Sequence, residues 1–171
     1  MAEYVVPRSD EPFDFRHQAA IYGTWRRDYS PALYDAIAAR TGSADGRRAI
    51  DLGCGTGFVT TSLAHRDWRV VGADFSAPML AAARAHVPAS VALVRARGEA
   101  LPIADGAASL LTCGTAFHWL APVEALAEIA RVLAPGGVAA LFWRYPTPGE
   151  PYMRLVGEVA SRYGHAVMPD D

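Results

Sequence analysis

The chain contains no lysine, because all 16 of its basic residues are arginines. A lysine amine is required for Schiff-base and pyridoxal chemistry, so both are excluded. The sequence has only two cysteines, Cys54 and Cys113, which are too few for a disulfide framework. Both fall within predicted core or ligand-binding segments. We therefore expect a reduced, cytoplasmic protein.

Features of membrane, nucleic-acid and metal-binding proteins are also missing. The formal net charge is −2, without a basic stripe, so no nucleic-acid partner is expected. No apolar run approaches the length of a membrane span, and residues 1–14 lack the apolar region of a signal peptide. The histidines show no metal-ligand spacing, so we expect no metal.

The length and composition fit one domain, since 51% of the 171 residues are hydrophobic. Residues 1–46 are expected to form an N-terminal arm and lid helices, and residues 47–171 a cofactor-binding core. Within the first part, 16–29 is predicted to be helical. A second helix is predicted from Pro31 to about Arg40, with Ser30 as its N-cap.

From residue 47 onward, short apolar runs alternate with segments of helical periodicity. Strands are predicted near 48–52, 69–74, 91–96, 109–114 and 138–144, and helices near 57–65, 77–86, 122–134 and 152–163. This alternation indicates an α/β fold with a doubly wound, mostly parallel sheet and helices on both faces. Ligands of such Rossmann-like sheets bind at the carboxyl ends of the strands.

The most informative segment is Ala49-Ile50-Asp51-Leu52-Gly53-Cys54-Gly55-Thr56-Gly57. An acid lies near the end of a predicted strand, and three glycines at alternate positions lead into a helix. Glycines let the backbone approach a ligand closely, while the negative charge of Asp51 disfavours a diphosphate and favours an ammonium group. The segment therefore predicts a site for a nucleoside with a cationic tail.

This segment resembles motif I of the class I S-adenosylmethionine-dependent methyltransferases. Three other segments agree with that family in order and spacing: Val70-Val71-Gly72-Ala73-Asp74-Phe75-Ser76, Gly98-Glu99-Ala100-Leu101-Pro102 and Leu133-Ala134-Pro135-Gly136-Gly137. Within the class, Ala116-Phe117-His118-Trp119 most resembles the trans-aconitate-type small-molecule methyltransferases. The resemblance covers roughly residues 13–146 and implies S-adenosylmethionine as the cofactor.

The resemblance also implies roles for individual residues. Asp51 would hold the methionine amino group, Asp74 the ribose hydroxyls, and Phe75 would pack on the adenine. Other interpretations are that Asp51 caps the following helix, that Phe75 is a core aromatic and that the glycines only permit close packing. The expected cofactor contacts are Tyr22, Asp51, Gly53, Cys54, Gly55, Gly57, Asp74, Phe75, Gly98, Glu99 and Cys113.

The methyl acceptor is expected near the end of the fourth strand. His118 would act as a general base or hydrogen-bond donor, or else be satisfied by a neighbouring carbonyl. Trp25 and Trp119, together with Tyr22, would wall the sulfonium and the acceptor, or simply pack in the lid or core. Arg26 would reach a carboxylate of the cofactor or the acceptor, although solvent exposure is the default for such a residue.

The chain departs from the family in three respects. Arg97 replaces a small or acidic residue, Ser109 replaces an aspartate, and the last two strands of the fold are not apparent. We expect either a truncated chain, which we prefer, or a second copy or other partner that covers the edge of strand five. The predicted function is methyl transfer to a small-molecule acceptor, at oxygen or nitrogen and conceivably on a carboxylate. The alternatives are a truncated cofactor-binding module with little activity and a nicotinamide-dependent oxidoreductase.

Overall fold

The computed structural model describes residues 28–41 and 47–144. Its five strands form one sheet in which every neighbouring pair is parallel. The strands are β1 (Arg48–Leu52), β2 (Arg69–Asp74), β3 (Ala92–Arg95), β4 (Ala108–Gly114) and β5 (Leu133–Phe142). Their order is β3-β2-β1-β4-β5. The strand order reverses between β1 and β4, and this is the point where such sheets bind their ligands.

Four α-helices connect or precede these strands in the described ranges. They are α1 (Pro31–Thr41), α2 (Phe58–Ala64), α3 (Ala77–Arg84) and α4 (Pro122–Val132), and a 3₁₀ turn spans Phe117–Trp119. Ser30 Oγ accepts a hydrogen bond from the N–H of Ala32, in agreement with its predicted place at the start of α1.

Helices cover both faces of the sheet, as the sequence predicts. On one face, Tyr34 of α1 and Leu63 of α2 pack with Leu110 of β4. On the other face, Ile129 of α4 packs with Leu111, the next residue of β4. Successive residues of a strand point to opposite faces, so the apolar character of both Leu110 and Leu111 shows that the sheet is buried on both sides.

The predicted bounds of β1 and β2 are confirmed, but those of β5 are wrong. The strand begins at Leu133 instead of residue 138, since Ala108 pairs with Leu133 and Leu110 with Val138. The residues between these pairs form a bulge in which Gly136 has a φ of +77°. As a result α4 ends at Val132, two residues earlier than predicted.

Two further differences concern the ends of the described ranges. Asp28 and Tyr29 were predicted in a helix but are irregular, because the Asp28 side chain accepts a hydrogen bond from the Tyr29 N–H. The predicted helix at 152–163 lies outside the described residues. β5 forms one edge of the described sheet, and whether a partner covers that edge stays a prediction.

Candidate functional site

A cavity opens at the carboxyl ends of β1, β2 and β4. Its empty space is about 820 Å³ when the part open to solvent is included. Seven of the predicted site residues line it: Asp51, Gly53, Cys54, Gly55, Asp74, Phe75 and Trp119. The structure therefore brings together the turn after β1, the end of β2 and the segment after β4.

The three glycines of the turn have different surroundings. All have positive φ values, +66° at Gly53, +53° at Gly55 and +87° at Gly57. A Cβ on Gly53 would collide with Ala116, and one on Gly57 would lie 2.5 Å from Val87 Cγ1, so close packing alone explains glycine at both positions. A Cβ on Gly55 would meet no atom within 4 Å. Gly55 is therefore the glycine whose missing side chain leaves room in the cavity.

Asp51 forms the buried floor of the cavity and is only 1% exposed. Its Oδ2 accepts a hydrogen bond from Thr60 Oγ1 at 2.6 Å, and its Oδ1 accepts one from Thr112 Oγ1 at 2.9 Å. A hydrogen bond from the backbone of Thr60, in the first turn of α2, also acts on Asp51 and lowers its pKa. Burial raises the pKa of Asp51 to about 6, despite these hydrogen bonds.

Asp74 lies at the end of β2 and is 8% exposed. Its Oδ2 accepts the N–H of Gly55 at 2.8 Å, and its Oδ1 accepts the N–H of Ser76 at 2.9 Å. Burial raises the pKa of this carboxyl above its ordinary value. A carboxylate has about four acceptor positions, so Asp74 retains capacity for hydroxyl donors of a ligand.

The aromatic residues of the site are partly exposed. Phe75 is 50% and Trp119 53% exposed, and both line the cavity. The rings of His118 and Trp119 lie 4.9 Å apart, but His118 is not among the residues that line the cavity. Its Nδ1 accepts a hydrogen bond from the indole N–H of Trp143 at 3.3 Å, where a carbonyl partner was the expected alternative. The catalytic role of His118 stays a prediction.

Four other predicted contacts lie outside the cavity lining. These are Gly57, Gly98, Glu99 and Cys113. A Cβ on Gly98 would lie 2.8 Å from Leu120 Cδ2, and Cys113 is fully buried. Glu99 Oε1 accepts the N–H of Ala121 at 2.9 Å, which ties the loop after β3 to the start of α4. Burial raises the pKa of Cys113 to about 12. Contact of these residues with a cofactor is untested.

Three predicted contacts, Tyr22, Trp25 and Arg26, fall outside the described residues, so their positions stay predictions. In residues 28–41 and 47–144, no group of three or more histidine, cysteine or acidic side chains is arranged to hold a metal ion. None of the helices in those ranges has the length and apolar character needed to cross a membrane.

The sequence did not predict nine of the residues that line the cavity, and three of these carry hydroxyl groups: Tyr29, Thr56 and Thr115. Thr56 is 3% exposed, and its Oγ1 has no hydrogen-bond partner within the described residues. Its position between Gly55 and Gly57 in the sequence could have identified it as a residue of the cavity. Thr115 has a φ of +53°, which is rare for a β-branched residue and has no signature in the sequence.

These features fit S-adenosylmethionine. The turn leaves open space at Gly55, where a Cβ would meet no atom within 4 Å. Two carboxylates, Asp51 and Asp74, favour a ligand with positive charge and hydroxyl donors over a pyrophosphate.

Comparison with known proteins agrees with this geometry. A family profile described as a methyltransferase domain matches residues 50–141, more than half of the chain. An uncharacterized methyltransferase of Mycobacterium tuberculosis (strain H37Rv) is 35% identical over 160 residues, which cover 94% of this chain and 64% of the relative. The chain thus spans less than two thirds of that relative's length.

Two solved structures extend the comparison. An S-adenosylmethionine-dependent methyltransferase from Mesorhizobium loti has a TM-score of 0.55 and 32% identity, covering 65% of this chain and 51% of that one. A structure from Methanococcus maripaludis has a TM-score of 0.65 and 23% identity, covering 92% and 77%, and shows the likeness of the fold. The chain belongs to the methyltransferase-domain family, whose fold and cofactor are those of the S-adenosylmethionine-dependent methyltransferases.

Proposed function

We propose that the protein transfers a methyl group from S-adenosylmethionine to a carboxylate oxygen of a small molecule. The observation that carries the proposal is the pairing of Asp51 and Asp74 around Gly55 in a single cavity. The carboxylates select an amino-acid-bearing nucleoside, and the open space at Gly55 admits it.

Each cofactor-binding residue has a distinct task. Asp51 would bind the ammonium group of the methionine part, and its two threonine partners hold the carboxylate in place. Asp74 would accept the ribose hydroxyls, because its hydrogen bonds to Gly55 and Ser76 orient it toward the cavity.

The ionisable groups that line the described part of the cavity support an acidic acceptor. These are Tyr29, Asp51, Cys54 and Asp74. The two carboxylates are buried and hydrogen-bonded, and burial keeps the Cys54 thiol protonated by raising its pKa. None of these groups is a histidine placed to remove a proton. A carboxylate nucleophile needs no base, so it matches this lining.

The chemistry requires only correct placement of the two reactants. S-adenosylmethionine, held by Asp51 and Asp74, would supply an electrophilic methyl group. A carboxylate oxygen of the acceptor would receive it as a methyl ester, and S-adenosylhomocysteine would be the leaving group, keeping the electrons of the broken C–S bond. No proton is released in this exchange. The residues of the cavity contribute by holding the carboxylate in line, which is worth roughly 7–11 kcal/mol at best.

Two further expectations belong with this proposal. The segment Ala116-Phe117-His118-Trp119 resembles trans-aconitate-type methyltransferases, which supports an acidic small molecule as acceptor. We place the protein in the cytoplasm, because Cys54 and Cys113 are both free and buried thiols.

Radiolabelled methyl transfer tests the proposal. The purified chain is incubated with methyl-labelled S-adenosylmethionine and a panel of small carboxylic acids, phenols and amines. Methyl esters release volatile methanol in alkali, whereas ethers and methylamines do not. The expected result is alkali-labile label on an acid, which Asp74→Ala reduces when S-adenosylmethionine is below saturation. Label on phenols or amines alone, with a pH dependence that His118→Gln removes, would instead support His118 as a general base.

A further inference from the structure

Thr115, at the end of β4, has an unusual backbone conformation. Its φ of +53° lies in the left-handed region, which is unfavourable for a β-branched residue. The conformation is held by a hydrogen bond from the Thr115 N–H to the carbonyl of Phe142 at 2.7 Å. Strained residues of this kind concentrate at functional sites, where the surrounding structure keeps a side chain in a required position.

The conformation places the Thr115 hydroxyl in a defined hydrogen-bond arrangement. Thr115 Oγ1 lies 2.7 Å from the hydroxyl of Tyr29 and accepts the N–H of Arg144 at 3.3 Å. A threonine oxygen accepts two hydrogen bonds and donates one. Either hydroxyl can donate the bond between them. When Tyr29 donates it, the Thr115 oxygen accepts from both Tyr29 and Arg144, and the Thr115 proton is left for a third partner. Tyr29 and Thr115 both line the cavity.

The charges around this pair differ from those at the cofactor end. Arg144 places its guanidinium over the Tyr29 ring, 5.3 Å from the centroid, and donates to the carbonyl of Asp28. The carboxylates of Asp51 and Asp74 lie instead around the turn after β1. The wall formed by Tyr29 and Thr115 therefore combines one hydroxyl donor with the nearby guanidinium of Arg144, an arrangement that suits an anionic oxygen.

We propose that Thr115, oriented by Tyr29, binds the carboxylate of the methyl acceptor and determines the preference for acids. The inference rests on the proposed methyltransferase function and assigns its acceptor subsite. The hydroxyl of Thr115 donates to one carboxylate oxygen.

The test measures acceptor binding separately from catalysis. The full chain is saturated with S-adenosylhomocysteine. Saturation-transfer NMR then reports the binding of aliphatic mono-, di- and tricarboxylic acids and benzoate, each compared with its uncharged amide. The variants are Thr115→Val, which replaces the hydroxyl by a methyl group, Thr115→Ser, which keeps it, and Tyr29→Phe. Thr41→Val, in α1 away from the cavity, is the matched control.

The wild type is expected to bind at least one acid more tightly than its amide. Thr115→Val should weaken that binding roughly 10- to 100-fold, the effect of losing one hydrogen bond to a charged group. Thr115→Ser should restore most of it, and Thr41→Val should change nothing. In transfer assays the KM for the acid should rise in Thr115→Val while the affinity for S-adenosylhomocysteine stays the same.

The contrary outcomes separate the two proposals. If the wild type does not bind S-adenosylhomocysteine, the methyltransferase function fails, and this inference fails with it. If the cofactor product binds but no acid does, or acids bind equally to wild type and Thr115→Val, only the acceptor subsite is wrong. If Thr115→Val does not fold, Tyr29→Phe decides, because unchanged acid binding in that variant also contradicts the proposal.

Discussion

The backbone N–H of Gly55 donates a hydrogen bond to Asp74 Oδ2 over 2.8 Å. This bond joins the turn after β1 to the end of β2, so that the glycine facing the cavity and the acid expected to bind ribose are positioned together. The turn is also attached to α2, because Asp51 accepts hydrogen bonds from Thr60. The cofactor end of the site is therefore organised by contacts within the protein before any ligand binds.

Gly55→Leu is expected to abolish cofactor binding without unfolding the protein. The new side chain would enter open space, at a backbone cost of about 1–2 kcal/mol for a positive φ. Gly136→Leu is a matched control, because Gly136 also has a positive φ, +77°, and open space around its Cβ position. Both variants should lose similar stability in thermal melts. Only Gly55→Leu should lose affinity for S-adenosylhomocysteine in calorimetry, and equal losses of affinity would contradict the assignment.

Asp51 should make the stability of the ligand-free protein depend on pH. Its pKa rises from 3.8 to about 6 on folding, so the folded state binds more protons than the unfolded state between these values. Stability from this group is therefore lost as pH rises from about 4 to 6, by up to about 3 kcal/mol. Compared with Asp51→Asn, the wild type should melt at a relatively higher temperature at pH 5 than at pH 7.5. If the difference in melting temperature between wild type and Asp51→Asn does not depend on pH, then folding does not raise the pKa of Asp51.

Asp74 should contribute to affinity through the ribose hydroxyls. Asp74→Ala is expected to weaken S-adenosylhomocysteine binding by about 1.5–3 kcal/mol, the range for hydrogen bonds to a charged group. A double-mutant cycle with the 2′-deoxy analogue isolates the contact, because removal of the 2′-hydroxyl should cost less in Asp74→Ala than in the wild type. If the losses of affinity from Asp74→Ala and from removal of the 2′-hydroxyl are additive, that hydroxyl does not bind Asp74.

Glu128 and Arg131 should be important for stability and unimportant for ligand binding. Arg131 contacts both oxygens of Glu128 and donates to the carbonyls of Leu101 and Ile103, so the pair holds the loop after β3 against α4. Glu128→Ala should lower the Tm by several degrees, whereas the exposed Glu124→Ala should not.

The same pair predicts a second pH effect of opposite sign. The hydrogen bond from Arg131 holds the pKa of Glu128 below its ordinary value of 4.5, so its stabilisation is present at neutral pH and is lost as pH falls below that value. The difference in Tm between wild type and Glu128→Ala should therefore be smaller at pH 4 than at pH 7. An unchanged affinity for S-adenosylhomocysteine at pH 7 separates this role from ligand binding.

Much of the fold could be predicted from local sequence signals. The apolar run of β1 ends at Gly53. The apolar run of β2 ends at Asp74, shortly before Ser76, which is the N-cap of α3. The start of β5 was missed because its pairing with Ala108 depends on a bulge that brings distant residues together. The irregular structure at Asp28 depends on side-chain hydrogen bonds to Tyr34 and Ser62, which no local pattern reveals.

The candidate site was predictable where the chemistry lies in a contiguous motif. Asp51, Gly55 and Asp74 fall in such segments and line one cavity. Thr115 was not predictable, because its conformation depends on the carbonyl of Phe142, a residue on the neighbouring strand. Tyr29 was not predictable either, because the hydrogen bond that ties it to the cavity wall is made with Thr115, 86 positions further along the chain.

Calorimetric titration of the ligand-free protein with S-adenosylhomocysteine and, separately, with NADH tests the central claim most directly. The acidic floor of the cavity, formed by Asp51 and Asp74, is expected to select the amino-acid-bearing nucleoside. The account predicts saturable 1:1 binding of S-adenosylhomocysteine that Gly55→Leu abolishes, and no measurable binding of NADH. Tighter binding of NADH than of S-adenosylhomocysteine would contradict it.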